Sequence, residues 1–418
     1  MSSILTNNSA MVALQTLKSI NMNLGKVQNE ISTGKTVESA KDNAATWAIS
    51  KVMSSDVEGF KAISDSLSLG QATVGVALNG AEAITDLLTE IKGKVVNAQE
   101  ENVDRAKIQT DIEALTNQIK SISGAAQFNG LNLLSNSEFD AGSGTSSVLS
   151  SLDRSSDGVT AANIDIAKQD LSTTAGVFDD SGTATAANAM VGNTVAVGAA
   201  PAEAYTVIAA DATAGVMFSI DSLEGDALAE SIIVSVGDGD TVEDVQNRLI
   251  TALNFAADTL GKEITFSADD TTAGQINASN DKAAGGAPNA LAAADMQKLT
   301  GATDDNTAKI GGSLSLLNYF DVSTEAGAEA ALGAMEGLIQ SSIDSAAALG
   351  SAGRQIDTQS NFVSKLTDGL TSGVGALVDA DMEAASAKLQ ALQTQQQLGV
   401  QALSIANQAP QTILSLFR

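Results

Sequence analysis

Apolar residues recur along the N-terminal segment at alternating spacings of three and four. Ala10, Ala13, Leu17, Ile20, Leu24, Val27 and Ile31 follow this rule without a polar member. Such a stripe runs down one side of an α-helix and forms a seam for a partner helix. Ser32-Thr33-Gly34-Lys35 reads as a loop. The pattern resumes at Ile49, Met53, Asp56, Phe60, Ile63, Leu67, Gly70, Val74, Ala77, Ala81, Ile84, Leu88, Ile91 and Val95, where twelve of fourteen positions are apolar and composition alone would give about six. A single helix of roughly 50 residues, about 75 Å long, is expected there. After a polar turn at Glu100 to Asp104, the residues Ile108, Ile112, Leu115, Ile119 and Ile122 predict a shorter helix folding back antiparallel.

The C-terminal end mirrors this arrangement. Leu332, Met335, Ile339, Ser342, Ala346, Leu349, Gly353, Ile356, Ser360, Val363, Thr367, Leu370, Val374 and Leu377 keep the same alternation, with four small or polar members thinning the seam. The register then slips by one residue, and the next seam runs Val378, Met382, Ala385, Leu389, Leu392, Gln396, Gly399, Leu403, Ala406, Pro410, Ile413 and Phe417. A break near Gly373, Gly375 and Asp379 is therefore expected, with the two glycines as a hinge between helical rods. Residues 140–320 read differently: the heptads vanish and Gly, Ala, Thr and Asp dominate. The run Ser231 to Val236 and the run Glu263 to Ser267 are strand-like. Val242, Val245, Leu249, Leu253 and Leu260 between them suggest a helix and hence a β-α-β unit. Val148 to Asp170 predicts a hairpin. The fold class that results is mainly α with a β-rich insertion: terminal helices paired as an antiparallel coiled-coil or bundle rod, and an α+β outer domain.

Composition narrows the function. The chain of 418 residues carries a net charge of −28, which disfavours nucleic acid and anionic membrane as partners. The charge is concentrated in the middle, at −18 over residues 140–320 against −4 before and −6 after. With no Cys and no His, disulfides, thiol catalysis, the commonest zinc ligands and imidazole-based triads are excluded. No signal peptide or spanning segment is expected, nor any cofactor or metal. Asp153, Ser155, Asp157 and Gly158 imitate the start of a calcium loop, but Ile164 stands where the bidentate Glu is needed. Asp238-Gly239-Asp240 with Glu243 and Asp244 reads as a solvated acidic turn. Ser32 and Lys35 have a Ser-x-x-Lys spacing without the companion motifs that would make it catalytic. No enzyme is expected. Periodicity alone leaves a bundle core and a self-assembling rod both open.

Three separated motifs add to this picture. NEISTGKTVESAKDNAATWAIS at 29–50, AQFNGLNLL at 126–134 and LSIANQAPQTILSLFR at 403–418 resemble bacterial flagellins, the subunits of the flagellar filament. The resemblance covers about residues 1–172 and 320–418. It implies an inner helical domain of residues 1–42 with 378–418, with Leu17, Ile20, Leu24, Val27, Ile31, Leu389, Leu392, Leu403, Ile413, Leu416 and Phe417 packing in the filament core. It further implies a rod domain of 43–172 with 320–377, packed by Phe60, Ile63, Leu67, Ile84, Leu88, Ile91, Ile112, Leu115, Ile119, Leu349, Ile356 and Val363. Residues 173–319 would face solvent as an outer domain. The implied partners are other copies of the chain, the flagellar export apparatus and its chaperone, the filament cap and the hook-filament junction proteins. The implied location is extracellular, in the secreted filament. Glu90 and Lys94 stand where the segment read by the innate flagellin-sensing Toll-like receptor usually carries Arg and Leu. Trp47, the only tryptophan, replaces a smaller residue and is expected to pack at a helix start. A hook-filament junction protein and a secreted coiled-coil adhesin or surface-layer protein are the alternatives. Deleting Gln411 to Arg418 is expected to abolish filament growth from seeds; normal filaments from the truncated chain would favour the adhesin class.

Overall fold

The computed structural model describes residues 7–137, 142–155, 158–177, 187–188, 194–195, 202–223, 226–262, 264–279, 289–290, 296–299 and 310–415. Six α-helices occur among them: α1 (Asn8–Thr33), α2 (Ala44–Ala98), α3 (Arg105–Ala125), α4 (Val242–Thr259), α5 (Glu325–Val378) and α6 (Met382–Ser415). The strands, in chain order, are β1 (Gln127–Phe128), β2 (Leu131–Asn132), β3 (Thr145–Ser155), β4 (Gly158–Ala167), β5 (Ala187–Asn188), β6 (Thr194–Val195), β7 (Ala202–Thr206), β8 (Met217–Leu223), β9 (Asp226–Ser235), β10 (Thr265–Ala268), β11 (Gln275–Ser279), β12 (Asn289–Ala290) and β13 (Met296–Leu299). The chain divides into two compact units, one of Met1–Ser64 with Asn361–Arg418 and one of Asp65–Ser360.

In the first unit α1 and α6 lie antiparallel. Near one end the Asn7 side chain donates to the Ala406 carbonyl at 2.8 Å, and at the other the Ala380 N–H donates to the Gly34 carbonyl at 2.8 Å. Gly34 ends α1 at φ +69°, a left-handed conformation that glycine adopts freely, and its N–H returns to Glu30 O. Asn43 and Asp381 open α2 and α6 by accepting backbone N–H groups of the first turns, Thr46 in one case and Glu383 and Ala384 in the other.

The second unit has a dry core. Leu67, Val74, Ala77, Ala81, Ile84, Leu88, Ile91 and Val95 of α2 face Ile112 and Ile119 of α3 and Ala331, Met335, Leu349 and Ile356 of α5, all buried. Lys94 on α2 reaches Asp111 on α3 at 2.7 Å, and Thr85 meets Ser342 of α5 at 2.7 Å, so both neighbours run antiparallel to α2. Two glycines on α2 admit the hairpins. A methyl group on Gly80 would stand 2.7 Å from Leu134, and one on Gly70 would stand 2.8 Å from Val148 of β3. The tight β1–β2 hairpin turns on Asn129 and Gly130 at φ +51° and +84°, the left-handed pair that a two-residue hairpin loop requires.

Beyond the β3–β4 hairpin the chain leaves and re-enters through a neck. Gly312 N–H donates to Thr174 O at 2.9 Å and Leu314 N–H to Ser172 O at 3.2 Å. A Cβ on Gly312 would lie 2.0 Å from Ser172 O, so only glycine permits this approach. The outer part contains a four-stranded sheet ordered β5-β13-β8-β9 and a three-stranded sheet ordered β10-β11-β7, with α4 buried against both. The β-α-β expectation is corrected here. The strands flanking α4, β9 and β10, belong to different sheets, so no parallel crossover forms. The acidic turn is likewise not merely solvated. Asp238 Oδ2 accepts the N–H groups of Gly142 and Gly144, each at 2.8 Å; Asp240 takes Gly237 N–H and pairs with Arg248; and Asp244 completes a capping box with Thr241.

At the neck, Asp170 accepts the Ser172 N–H at 2.9 Å and is packed beside Arg248. Burial pushes its carboxyl up from the usual aspartate value to about 6, against the opposing pull of the Ser172 hydrogen bonds and the Arg248 charge. In the folded chain Asp170 thus binds its proton more tightly than when unfolded. Its ionisation costs stability as pH rises through about 6, and that cost disappears as pH falls toward 4. Asp170→Asn is expected to raise the melting temperature at pH 7.5 and to flatten its pH dependence between 4 and 6.5; unaltered melting curves across that range would contradict this account.

Candidate assembly surfaces

A pair of helices has no interior of its own, and the first unit shows the consequence. Of the stripe on α1, only Val27 is buried; Leu17, Ile20, Leu24 and Ile31 are half-buried. On α6, Leu392 and Ala385 are buried while Leu389 and Leu403 are half-buried. The Ile413 side chain and residues Leu416 and Phe417 lie outside the described residues. Contact between the two helices is close where Gly399 leaves room: a Cβ there would be 3.2 Å from Leu17 Cδ1. On the remaining faces, large apolar side chains point to solvent, including Met11 (60 % exposed), Val12 (63 %), Leu14, Met22, Leu398, Val400 and Ile405 (69 %). Among the described residues, twelve such exposed side chains belong to this unit and five to the other. An apolar surface on this scale, wrapped around more than one side of a helix pair, is a contact surface that lacks its partner.

The chain breaks on the two strands of this unit are tied to each other. Thr36 N–H donates to Val378 O at 2.7 Å, its hydroxyl donates to the same carbonyl at 3.2 Å, and Lys35 and Asp379 form an antiparallel bridge. The break expected near Gly373, Gly375 and Asp379 falls at Asp379. Gly373 and Gly375 lie inside α5, which continues to Val378, and the chain leaves helical geometry only at Asp379. Their missing side chains serve close approach. A Cβ on Gly373 would be 3.1 Å from Met53 Cε, and one on Gly375 would be 2.7 Å from the Asp379 carboxylate. Trp47 sits half-buried in the first turn of α2, and Phe60 is half-buried further along it, while Ile63 and Val363 are buried.

In the second unit the stripe residues Leu67, Ile84, Leu88, Ile91, Ile112, Ile119, Leu349 and Ile356 are buried, with Leu115 half-buried. Glu90 is exposed on α2, and Lys94 is half-buried with its ammonium on Asp111. The Asp111 hydrogen bond raises the Lys94 pKa above the ordinary lysine value.

A cleft of about 610 Å³ is lined by β9, α4, the neck and α5. Among its charged groups, Arg248 donates to Ser235 O at 2.9 Å and pairs with Asp240, while Asp170 holds the neck. That arrangement braces the neck against α4. Ser32 and Lys35 are both exposed. Asp157 of the calcium-like run lies outside the described residues. No group of three or more metal-ligating side chains occurs among the described residues, and no helix among them is long and apolar enough to cross a membrane.

Comparison with known proteins adds a family to this geometry. A model of the bacterial flagellin N-terminal helical region matches residues 4–138, and one of the bacterial flagellin C-terminal helical region matches residues 332–417. Flagellin A of Rhizobium meliloti is 38 % identical over 426 residues, and Flagellin A of Rhizobium meliloti (strain 1021) is 39 % identical over 430 residues, each alignment covering 100 % of both chains. Flagellin FljM of Caulobacter vibrioides is 29 % identical over 421 residues, covering 100 % of this chain and 99 % of that one. With both helical regions matched and full-length relatives above one-third identity, the chain belongs to the bacterial flagellin family, whose members build the flagellar filament.

Proposed function

We propose that α1 and α6 form the surface through which this filament subunit joins copies of itself, residues 1–42 with 378–418 packing innermost, 43–172 with 320–377 around them, and 173–319 outward. The observation that carries this reading is the exposed apolar ring of Met11, Val12, Leu14, Met22, Leu398, Val400 and Ile405 on a helix pair whose own seam is only half covered. Contacts that use different faces of one subunit propagate as an open helical polymer when their rotation does not close into a ring. The subunit is a non-catalytic component of an extracellular flagellum that serves swimming motility. It reaches that site through the flagellar export apparatus with a chaperone, elongates beneath the filament cap, and starts from the hook-filament junction proteins. A chain with no cysteine pairs to form and few bulky side chains suits passage in an unfolded state.

Placing a carboxylate into such an interface costs on the order of 3 kcal/mol, about a hundredfold in an equilibrium constant. Val12→Asp and Ile405→Asp are each expected to suppress seeded elongation by roughly that factor, while the melting of the second unit stays as in the unmodified chain; elongation at the normal rate would refute the assignment of this surface.

Glu90 and Lys94 also set a reading of the subunit's visibility. A carboxylate stands where a cation is usual, and an ammonium engaged by Asp111 stands where an apolar anchor is usual. Purified monomer is expected to activate the flagellin-sensing Toll-like receptor weakly in reporter cells, and Glu90→Arg combined with Lys94→Leu to raise that response. Strong signalling by the unmodified monomer would refute the reading.

A further inference from the structure

We infer that Asn7 and Pro410 together form a register-specific clasp at the far end of the α1–α6 pair. The inference rests on the assembly reading above, because it concerns how that surface is held in shape. Asn7 uses both ends of its side-chain amide. Its oxygen accepts the Ala10 N–H at 3.1 Å, capping α1, and its nitrogen donates to the Ala406 carbonyl of α6 at 2.8 Å. In an uninterrupted α-helix that carbonyl would accept from the amide four residues on. The residue four on is Pro410, which has no amide hydrogen, yet α6 continues through it to Ser415. The carbonyl that the proline leaves without a helical donor is therefore the one that Asn7 reaches.

This coincidence has a structural consequence. The apolar seam between α1 and α6 is nearly self-similar under a shift of one heptad: Leu17 faces Gly399, and a slip would set it against Leu392 or Ala406. Hydrophobic contact alone therefore discriminates poorly between neighbouring alignments, and a buried polar contact is the usual device for choosing one. The bridge of Lys35 with Asp379 fixes the pair at one end. Pro410 is the sole proline within any described helix, so α6 offers only one such carbonyl, and the clasp closes in a single alignment at the other end.

The test is a pair of substitutions combined. Serine caps a helix as well as asparagine does, but it is too short to span to α6. Asn7→Ser thus retains the cap and removes the clasp. Pro410→Ala returns a helical N–H to the Ala406 carbonyl, so Asn7 loses the one acceptor that marks the alignment. In assembled filaments of the full chain, Asn7→Ser is expected to raise the critical subunit concentration about tenfold and to lower hydrogen-exchange protection over residues 8–20 by a similar factor. Pro410→Ala alone is expected to bring a comparable loss, and in that background the same Asn7→Ser change is expected to alter neither measurement further. Equal further losses from Asn7→Ser in both backgrounds, no loss from Asn7→Ser alone, or a Pro410→Ala chain as well protected and as ready to polymerise as the unmodified one would each overturn the clasp. If unmodified subunits fail to elongate from seeds, the assembly reading falls, and exchange measured on free subunits in the same two backgrounds still decides the clasp.

Discussion

A helix pair can bury one stripe on each member and nothing more, and this limit governs the terminal unit. Of the α1 stripe only Val27 is withdrawn from water, and among the described side chains of α6 only Ala385 and Leu392. Isolated helices are marginal without tertiary packing, so α1 and α6 depend on apolar neighbours that the lone chain does not supply. The second unit shows what a third helix changes. There α3 and α5 enclose α2 from two sides, and Ile84, Leu88 and Ile91 lose all exposure. The same spacing of apolar residues thus gives a finished core in one unit and an unfinished surface in the other.

The segments that interrupt the helices are as specific as the helices themselves. Gly34, Lys35 and Thr36 exchange backbone hydrogen bonds with Val378, Asp379 and Ala380, and each of the helices that follow is opened by its own cap, Asn43 or Asp381. The two interruptions are thereby tied to each other by backbone hydrogen bonds rather than left as independent loops. The hydrogen bonds also satisfy backbone groups that two unsupported loops would leave to solvent.

The helical part of this fold was legible in the sequence because helix packing is periodic. Spacings of three and four mark the inward stripe of α2, and the one-residue slip between the seams of α5 and α6 marks the break. What lay hidden depends on approach between distant residues, which leaves no local period. Gly70 reads as a gap in a seam, whereas it is the place where Val148 of the β3–β4 hairpin packs onto α2. Gly373 and Gly375 read as a hinge by their flexibility, and no local pattern reveals that Met53 and Asp379 occupy the space they leave. The acidic run at Asp238–Asp244 reads as solvated, since composition does not reveal that Gly142, Gly144 and Arg248 converge on it. The strand and helix signals around α4 were present, but the assignment of β9 and β10 to separate sheets follows from pairing with β8 and β11, which no local pattern encodes.

The small and polar members of the α5 seam follow from the same principle. Ser342 has no exposed surface, and its hydroxyl meets that of Thr85 at 2.7 Å, while Thr85 also donates back to Ala81 O within its own helix. A Leu at either position would hold the two backbones further apart. A serine brings α2 and α5 close and satisfies its own polar atom in doing so. Gly353 differs, since a Cβ there would be 3.5 Å from Val74, in ordinary contact that an alanine could make. At the Ser342–Thr85 point of the seam a satisfied hydroxyl pair replaces bulky anchors, in a chain whose aromatic content is only 3 %.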